Sequence, residues 1–310
     1  MKKMDKVMLF SHTDLDGYGC NIVLEALNIP YFAININYEN VNEVIKEYIE
    51  GEYYKDYKKT YITDISVNEE VVELINNTKD LNLVLLDHHP TAEWLNKYNW
   101  ANVSVNGAFE KTSGTEMLFN YLLSKDFNIL LNNKENLYNI ISLVQRIKRY
   151  DTWLWKDKYN DESAKKLNDL FYILGERNFI TRLNKCKYNA DFLINEYEYL
   201  LKAQQDKINK YVEKKNRELI KYPIDKYKVG VVFANQFQSE LGNKLAELNP
   251  DCDLIAMIGE NTISYRSIKD NVNCGEFAKL FGGGGHPKAA GSEISLKQKE
   301  DIINILFGYF

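Results

Sequence analysis

The chain has 310 residues, with 39 Lys and Arg against 44 Asp and Glu, so its formal charge is -5. That sign excludes a surface built to follow long nonspecific nucleic acid, because a phosphate track is met by a basic face. At 45% hydrophobic and 27% charged residues the chain is too apolar for a disordered protein, and its length holds one large domain or two moderate ones.

The segment Met1-Lys2-Lys3 followed by Val7-Met8-Leu9-Phe10 is too short in its apolar part for a secretory leader. No later run approaches the roughly 20 apolar residues of a membrane span. From Val7 to Val105 short apolar runs alternate with amphipathic stretches, the pattern of βαβ units around a mostly parallel sheet. Strands are expected at Val7–Phe10, Tyr31–Ile36, Thr60–Thr63, Leu83–Leu86 and Asn102–Val105, and helices at Gly17–Leu27, Val41–Ile49 and Asn68–Ile75. Ser113-Gly114-Thr115-Glu116 reads as a capping box opening a helix to about Leu123. Helical pattern then runs from about Glu135 to Lys221, and its basic stretch Lys202–Lys221 reads as a solvated connecting helix.

After Pro223 the pattern restarts with strand Lys228–Ala234, helix Ser239–Leu248, strands Leu254–Ile258 and Thr262–Tyr265, a helix near Glu276–Phe281, strand Glu293–Ser295 and a last helix. The expectation is an α/β protein in three parts. These are a first domain over 1–190 with a mostly parallel sheet and flanking helices, a helical linker over 191–225, and a smaller α/β domain over 226–310.

Cys20, Cys186, Cys252 and Cys274 show no CxxC spacing, so neither a thiolate zinc site nor a disulfide framework is expected, which suits a reducing cytoplasm. The four histidines are more telling. Three strand runs stop and are followed at once by acids or histidines: His12, Asp14 and Asp16 after the first, Asp64 after the third, and Asp87, His88 and His89 after the fourth. In a parallel α/β sheet the carboxyl ends of strands share one edge, where ligands bind. Several carboxylates gathered there raise one another's pKa and cannot all stay ionised without a cation. Mixed His and Asp ligation suits Mn, Fe, Co or Zn, and this many ligands suits a pair of ions.

The second domain carries Gly282-Gly283-Gly284-Gly285-His286, with Arg266 on a neighbouring strand. Gly283, Gly284 and Gly285 let backbone N–H groups approach an anion, so with His286 and Arg266 they read as a clamp for a terminal phosphate or ribose. Lys288 reads as a solvated lysine, and Trp153, Trp155 and Tyr18 as packing residues.

His12-x-Asp14-x-Asp16-Gly17, Asp64, Asp87-His88-His89 and Arg149-Tyr150-Asp151 resemble the four motifs of the DHH phosphoesterase superfamily, in order. The glycine run with His286 and Ala289-Ala290-Gly291 resembles its DHHA1 substrate-binding domain. Within the superfamily, Asp151-Thr152-Trp153 and Ser239-Glu240-Leu241-Gly242-Asn243 resemble the nano-RNase B type of oligoribonuclease.

The resemblance implies two divalent ions, usually Mn2+ with Co2+ or Mg2+ as alternatives. His12 and Asp14 would hold one, Asp64 would bridge, and Asp16, His88 and Asp151 would hold the other. Asp87 and His89 would stand behind the ligands, His89 facing the phosphate or orienting a ligand, so Asp64, Asp87 and His89 carry the catalytic roles. The activity so implied is hydrolysis of very short RNA oligonucleotides to 5′-mononucleotides by a hydroxide held between the ions. The alternative is cleavage of linear dinucleotides or of adenosine 3′,5′-bisphosphate. Long duplexes and membranes are not expected partners, and a homodimer is compatible with this reading. A non-catalytic relative would have lost ligands, and none is missing here.

Overall fold

A computed structural model describes residues 5–125 and 136–308. Met1-Lys2-Lys3 and Glu135, where the helical region was expected to begin, lie outside the described residues. The chain divides into two compact units, residues 1–201 and 202–310.

The first unit runs β1 (Val7–Ser11), α1 (Leu15–Ala26), β2 (Tyr31–Asn35), α2 (Val41–Glu50), β3 (Thr60–Thr63), α3 (Glu69–Asn77), β4 (Leu83–Asp87) and β5 (Ala101–Val103). Helices α4 (Gly114–Lys125), α5 (Leu137–Asp151), α6 (Glu162–Leu174), α7 (Glu176–Lys185) and α8 (Ala190–Glu196) follow. All five strands are parallel, in the order β2-β1-β3-β4-β5.

Alternation along the strands explains the layers. Val7 and Leu9 of β1 point into a core with α1, α4 and α5, while Met8 and Phe10 point into one with α2 and α3. The central strands β1, β3 and β4 are buried on both faces, which is why they read as continuous apolar runs. Strand order reverses direction between β1 and β3, and the crevice beyond their carboxyl ends is where such a sheet places its ligand.

The capping signal at Ser113 is half realised. Ser113 Oγ accepts the Glu116 N–H at 3.3 Å, but the Glu116 carboxylate instead accepts from Thr112, Gln145 and Lys148. Lys148 on α5 is buried, and Glu110 at 3.0 Å and Glu116 at 2.9 Å neutralise it.

Helix α9 (Glu198–Glu218) leads into the second unit, which contains β6 (Ile220–Ile224), β7 (Tyr227–Phe233), α10 (Gln238–Leu248), β8 (Leu254–Ile258), β9 (Thr262–Arg266), α11 (Cys274–Lys279), β10 (Gly284–Gly285), β11 (Ala289–Glu293) and α12 (Leu296–Phe307). Its sheet order is β10-β11-β9-β8-β7-β6, mixed, with β7 and β8 parallel.

The stretch 191–225 holds most of α8, all of α9 and β6, and Ile208 and Val212 of α9 are buried in the core of the second unit. Two readings are corrected here. Helix ends before Lys221, which lies in β6; Pro223 is tolerated there because β6 is an edge strand. The strand expected at Glu293–Ser295 lies earlier, at Ala289–Glu293, because Ser295 caps α12 in a reciprocal box with Gln298.

Candidate metal centre

The loop after β1 is drawn tightly back on itself. Ser11 Oγ lies 2.7 Å from Thr63 Oγ1 and 3.0 Å from the carbonyls of Gly17 and Thr63, tying the end of β1 to the end of β3. A Cβ on Gly17 would sit 2.2 Å from the His12 carbonyl oxygen, so this crossing requires glycine. Asp14 caps α1 by accepting the Gly17 N–H at 2.9 Å, and its other oxygen stands 2.9 Å from His12 Nδ1.

Asp16, in the first turn of α1, is buried, and its carboxylate accepts the backbone N–H groups of Gly114 at 2.6 Å and Thr115 at 3.0 Å. It thus occupies the positive end of α4, a natural seat for an anion. Asp64 follows β3 in the left-handed backbone region, φ 58°, which Asp and Asn tolerate better than other side chains. A Cβ on Gly114 would come within 2.5 Å of Asp64 Cβ, so the α4 start and Asp64 can meet only through a glycine.

His88, just past β4, is the hub. Its Nε2 stands 3.1 Å from Asp64 Oδ1, 3.4 Å from Asp151 Oδ2 and 3.7 Å from Asp16 Oδ2. Asp151, the last residue of α5, comes from far along the chain to complete this set. Behind it, buried Asp87 accepts from His88 N–H at 2.8 Å, from His89 Nδ1 at 2.7 Å and from Ser66 Oγ. His89 Nε2 lies 3.2 Å from the Tyr38 hydroxyl, and the Tyr38 ring packs over His12 at 4.8 Å.

The electrostatics are those of a site built for cations. Burial, then the charges of Asp16 and Asp14, push Asp64 and Asp151 well above the usual carboxylate range. Burial holds His88 low, favouring the neutral imidazole that a metal requires. For Asp14 burial acts upward, but the adjacent His12 outweighs it; for Asp87 the bond from His89 does the same, so both end low. Burial acts downward on His89, and Asp87 overcomes it, leaving His89 raised.

Asp64 Oδ2, Asp151 Oδ2 and His12 Nδ1 are buried without an aligned hydrogen-bond partner. Such orphaned atoms are rare in folded proteins unless an ion or water completes them. Ligand atoms of His12, Asp14 and Asp64 lie within 4.8 Å of one another, as do those of Asp16, His88 and Asp151, and those of Asp64, Asp87, His88 and His89. Nitrogen and carboxylate oxygen donors without thiolate fit a divalent transition ion.

The residues expected as a phosphate clamp lie in the second unit. Arg266 is held by Ser239 Oγ at 3.3 Å and by its packing on Gly242, where a Cβ would come within 2.5 Å of the arginine stem. Register pairs Arg266 with Ala289, and the His286–Ala289 turn places His286 at that end of β9. Gly285, at φ 140°, and Gly283, whose Cβ would meet the Gly291 carbonyl at 2.1 Å, let the chain lie close against β11; Gly284 pairs with Gly291. His286 is exposed. Lys288 pairs with Asp270 at 2.8 Å. Trp155 is buried against Trp153, and Tyr18 packs on Phe171.

Tyr38, Ser66 and the Gly114–Thr115 amides were not legible as site residues. Tyr38 follows β2, which is not followed at once by an acid or histidine, and the amides belong to a helix read only as capped.

No family model matches the chain. Oligoribonuclease NrnB of Bacillus subtilis (strain 168) is 33% identical over 300 residues, covering 93% of this chain and 72% of NrnB. Among solved structures, RecJ from Thermus thermophilus in complex with Mn2+ matches with a TM-score of 0.55 at 13% identity, over 94% of this chain and 49% of RecJ. The pGpG-specific phosphodiesterase PggH from Vibrio cholerae matches with a TM-score of 0.54 at 14% identity, over 98% of both chains. Both structural likenesses concern the fold, and the sequence identity to NrnB carries the relationship further. The chain belongs to the DHH phosphoesterase family, alongside oligoribonuclease NrnB, and is a hydrolase of phosphoester bonds.

Proposed function

We propose that the protein is a metal-dependent exoribonuclease that hydrolyses very short RNA oligonucleotides to 5′-mononucleotides. The observation that carries this is the placement of His88 Nε2 within 3.1–3.7 Å of Asp64, Asp151 and Asp16, beside orphaned oxygens of Asp64 and Asp151. NrnB, by its name an oligoribonuclease, supports the substrate class.

His12 and Asp14 would hold one divalent ion, Asp16, His88 and Asp151 would hold a second, and Asp64 would contribute to both; Mn2+ is the first choice. When bound, the ions supply charge that lets a water give up its proton near neutral pH and that offsets the phosphate oxygens. The chain's own part is to position. The α4 amides fix Asp16, and the left-handed backbone at Asp64 aims its carboxylate at His88. Asp87 fixes the His89 tautomer with the proton on Nδ1, and by raising His89 it favours a second proton on Nε2, available to a leaving oxygen. Arg266 and His286, beside the glycine run, hold a terminal phosphate; the Gly283 N–H, expected to share in this, instead donates to the Ala278 carbonyl at 2.9 Å, and Gly284 pairs with Gly291 in the β10–β11 ladder.

The test is product analysis on end-labelled RNAs of two to five nucleotides with purified protein and Mn2+, beside a linear dinucleotide and adenosine 3′,5′-bisphosphate as competing substrates. Stepwise release of 5′-mononucleotides is expected. Absence of release across that range refutes the reading, and faster turnover of either competitor replaces it with the alternative substrate.

A further inference from the structure

Beside the metal centre, and sharing Asp87 and His89 with it, lies a pocket of about 470 Å³, a volume within the range of small-molecule sites. Its floor is apolar: Val41, Val67 and Ala92 are all buried. Two large aromatic side chains, Tyr38 and Trp94, line it while remaining 52% and 36% exposed. Among the described residues its lining includes the carboxylates of Asp87 and Glu69 and no Lys or Arg, although Lys97 Nζ stands 5.2 Å from the Trp94 ring centroid, so the pocket itself is a poor seat for a second phosphate. An uncharged, flat, apolar-faced group suits it.

Tyr38 places that group relative to the chemistry. Its ring packs 4.8 Å from the His12 ring and its hydroxyl sits 3.2 Å from His89 Nε2, so one residue borders both pocket and metal centre. The pocket therefore opens next to the groups that would receive a phosphate at His88. Aromatic side chains take any base by its face, because every base has one.

We propose that this pocket is a nucleobase subsite in which the base of the nucleotide bearing the scissile phosphate packs against Trp94 and Tyr38. The inference rests on the phosphodiesterase reading of the neighbouring centre and adds to it a base-dependent, sequence-tolerant share of binding supplied by the first unit alone.

The experiment is calorimetric titration, in the presence of Mn2+, of a ribonucleoside 5′-monophosphate and of ribose 5-phosphate, which keeps the phosphate and lacks the base. Wild type, Trp94→Ala and Trp94→Phe are compared. The nucleotide should bind wild type at least about fivefold more tightly than ribose 5-phosphate. Trp94→Ala should abolish that difference, and Trp94→Phe should keep most of it. Equal affinities in wild type, including no binding of either compound, overturn the proposal, as does a base-dependent difference that survives in Trp94→Ala. Hydrolysis of a diribonucleotide is followed in parallel. A base-dependent difference without hydrolysis sinks the exoribonuclease reading and keeps the subsite; hydrolysis without the difference does the reverse.

Discussion

The Asp16 carboxylate accepts the backbone N–H of Gly114 at 2.6 Å, across 98 residues of sequence. This bond joins the first motif of the chain to the start of a helix that carries no motif, and Gly114 is also where Asp64 passes closest. Gly114→Ala is expected to push α4 from both carboxylates and to weaken Mn2+ binding by about tenfold or more, the usual consequence of losing a group that orients a metal ligand. Gly107→Ala, whose nearest new contact is an ordinary 3.4 Å, should leave binding unchanged. Metal titrations on both variants decide it.

Asp64→Asn separates metal binding from folding. In the folded chain burial and neighbouring carboxylates raise the Asp64 pKa, so ionised Asp64 opposes folding once the pH passes the unfolded value near 3.8. Asparagine removes that charge and suits the left-handed backbone. The metal-free variant should therefore melt a few degrees higher at pH 7 than wild type, while the stabilisation that Mn2+ confers on wild type disappears. A variant that Mn2+ stabilises as strongly as wild type would exclude Asp64 as a ligand.

Tyr38→Phe removes the hydroxyl beside His89 Nε2 and leaves the ring. The turnover number on a dinucleotide should drop about two- to tenfold, the value of one hydrogen bond, with Mn2+ affinity unaltered. A loss of Mn2+ affinity instead would place Tyr38 in the support of His12.

Arg266 tests the second unit. Arg266→Ala should raise KM for a phosphorylated dinucleotide by about tenfold or more, with kcat largely retained, because a phosphate held away from the reacting atoms contributes uniform binding. A selective fall in kcat would assign Arg266 to the chemistry.

Glu110 gives a pH signature away from the metal. Burial acts to raise it, but Lys158, Tyr159 and Lys148 hold it down to about 2. A depressed carboxylate stabilises the fold fully above its unfolded value of 4.5, and that stability is lost as the pH falls toward about 2. Glu110→Gln should therefore lower stability by about 1–2 kcal/mol at pH 7. In urea titrations at pH 7, 5 and 3.5 the gap between variant and wild type should be constant between the first two and narrower at the third.

The sequence by itself determined the sheet of the first unit and the residues at its edge. Three apolar runs, β1, β3 and β4, buried on both faces can be little else than parallel strands, and acids and histidines placed at once after such strands must share one edge. Short-range patterns settled less. Ser113 and Glu116 read as a capping box, yet Glu116 was drawn to buried Lys148, because an uncompensated charge in the interior outweighs a helix cap. The stretch Lys202–Lys221 read as a solvated helix, yet its Ile208 and Val212 are buried in the core of the second unit. Pro223 marked a break in the sequence and proved to be part of an edge strand, where its missing N–H harms no ladder. Only the tertiary structure decided that Gly114 and Thr115 hold Asp16, that Tyr38 faces His12 and His89, and that a pocket opens beside them. These relations join residues with no common spacing, through backbone donors and surface aromatics whose identity carries no signal until packing brings them within reach.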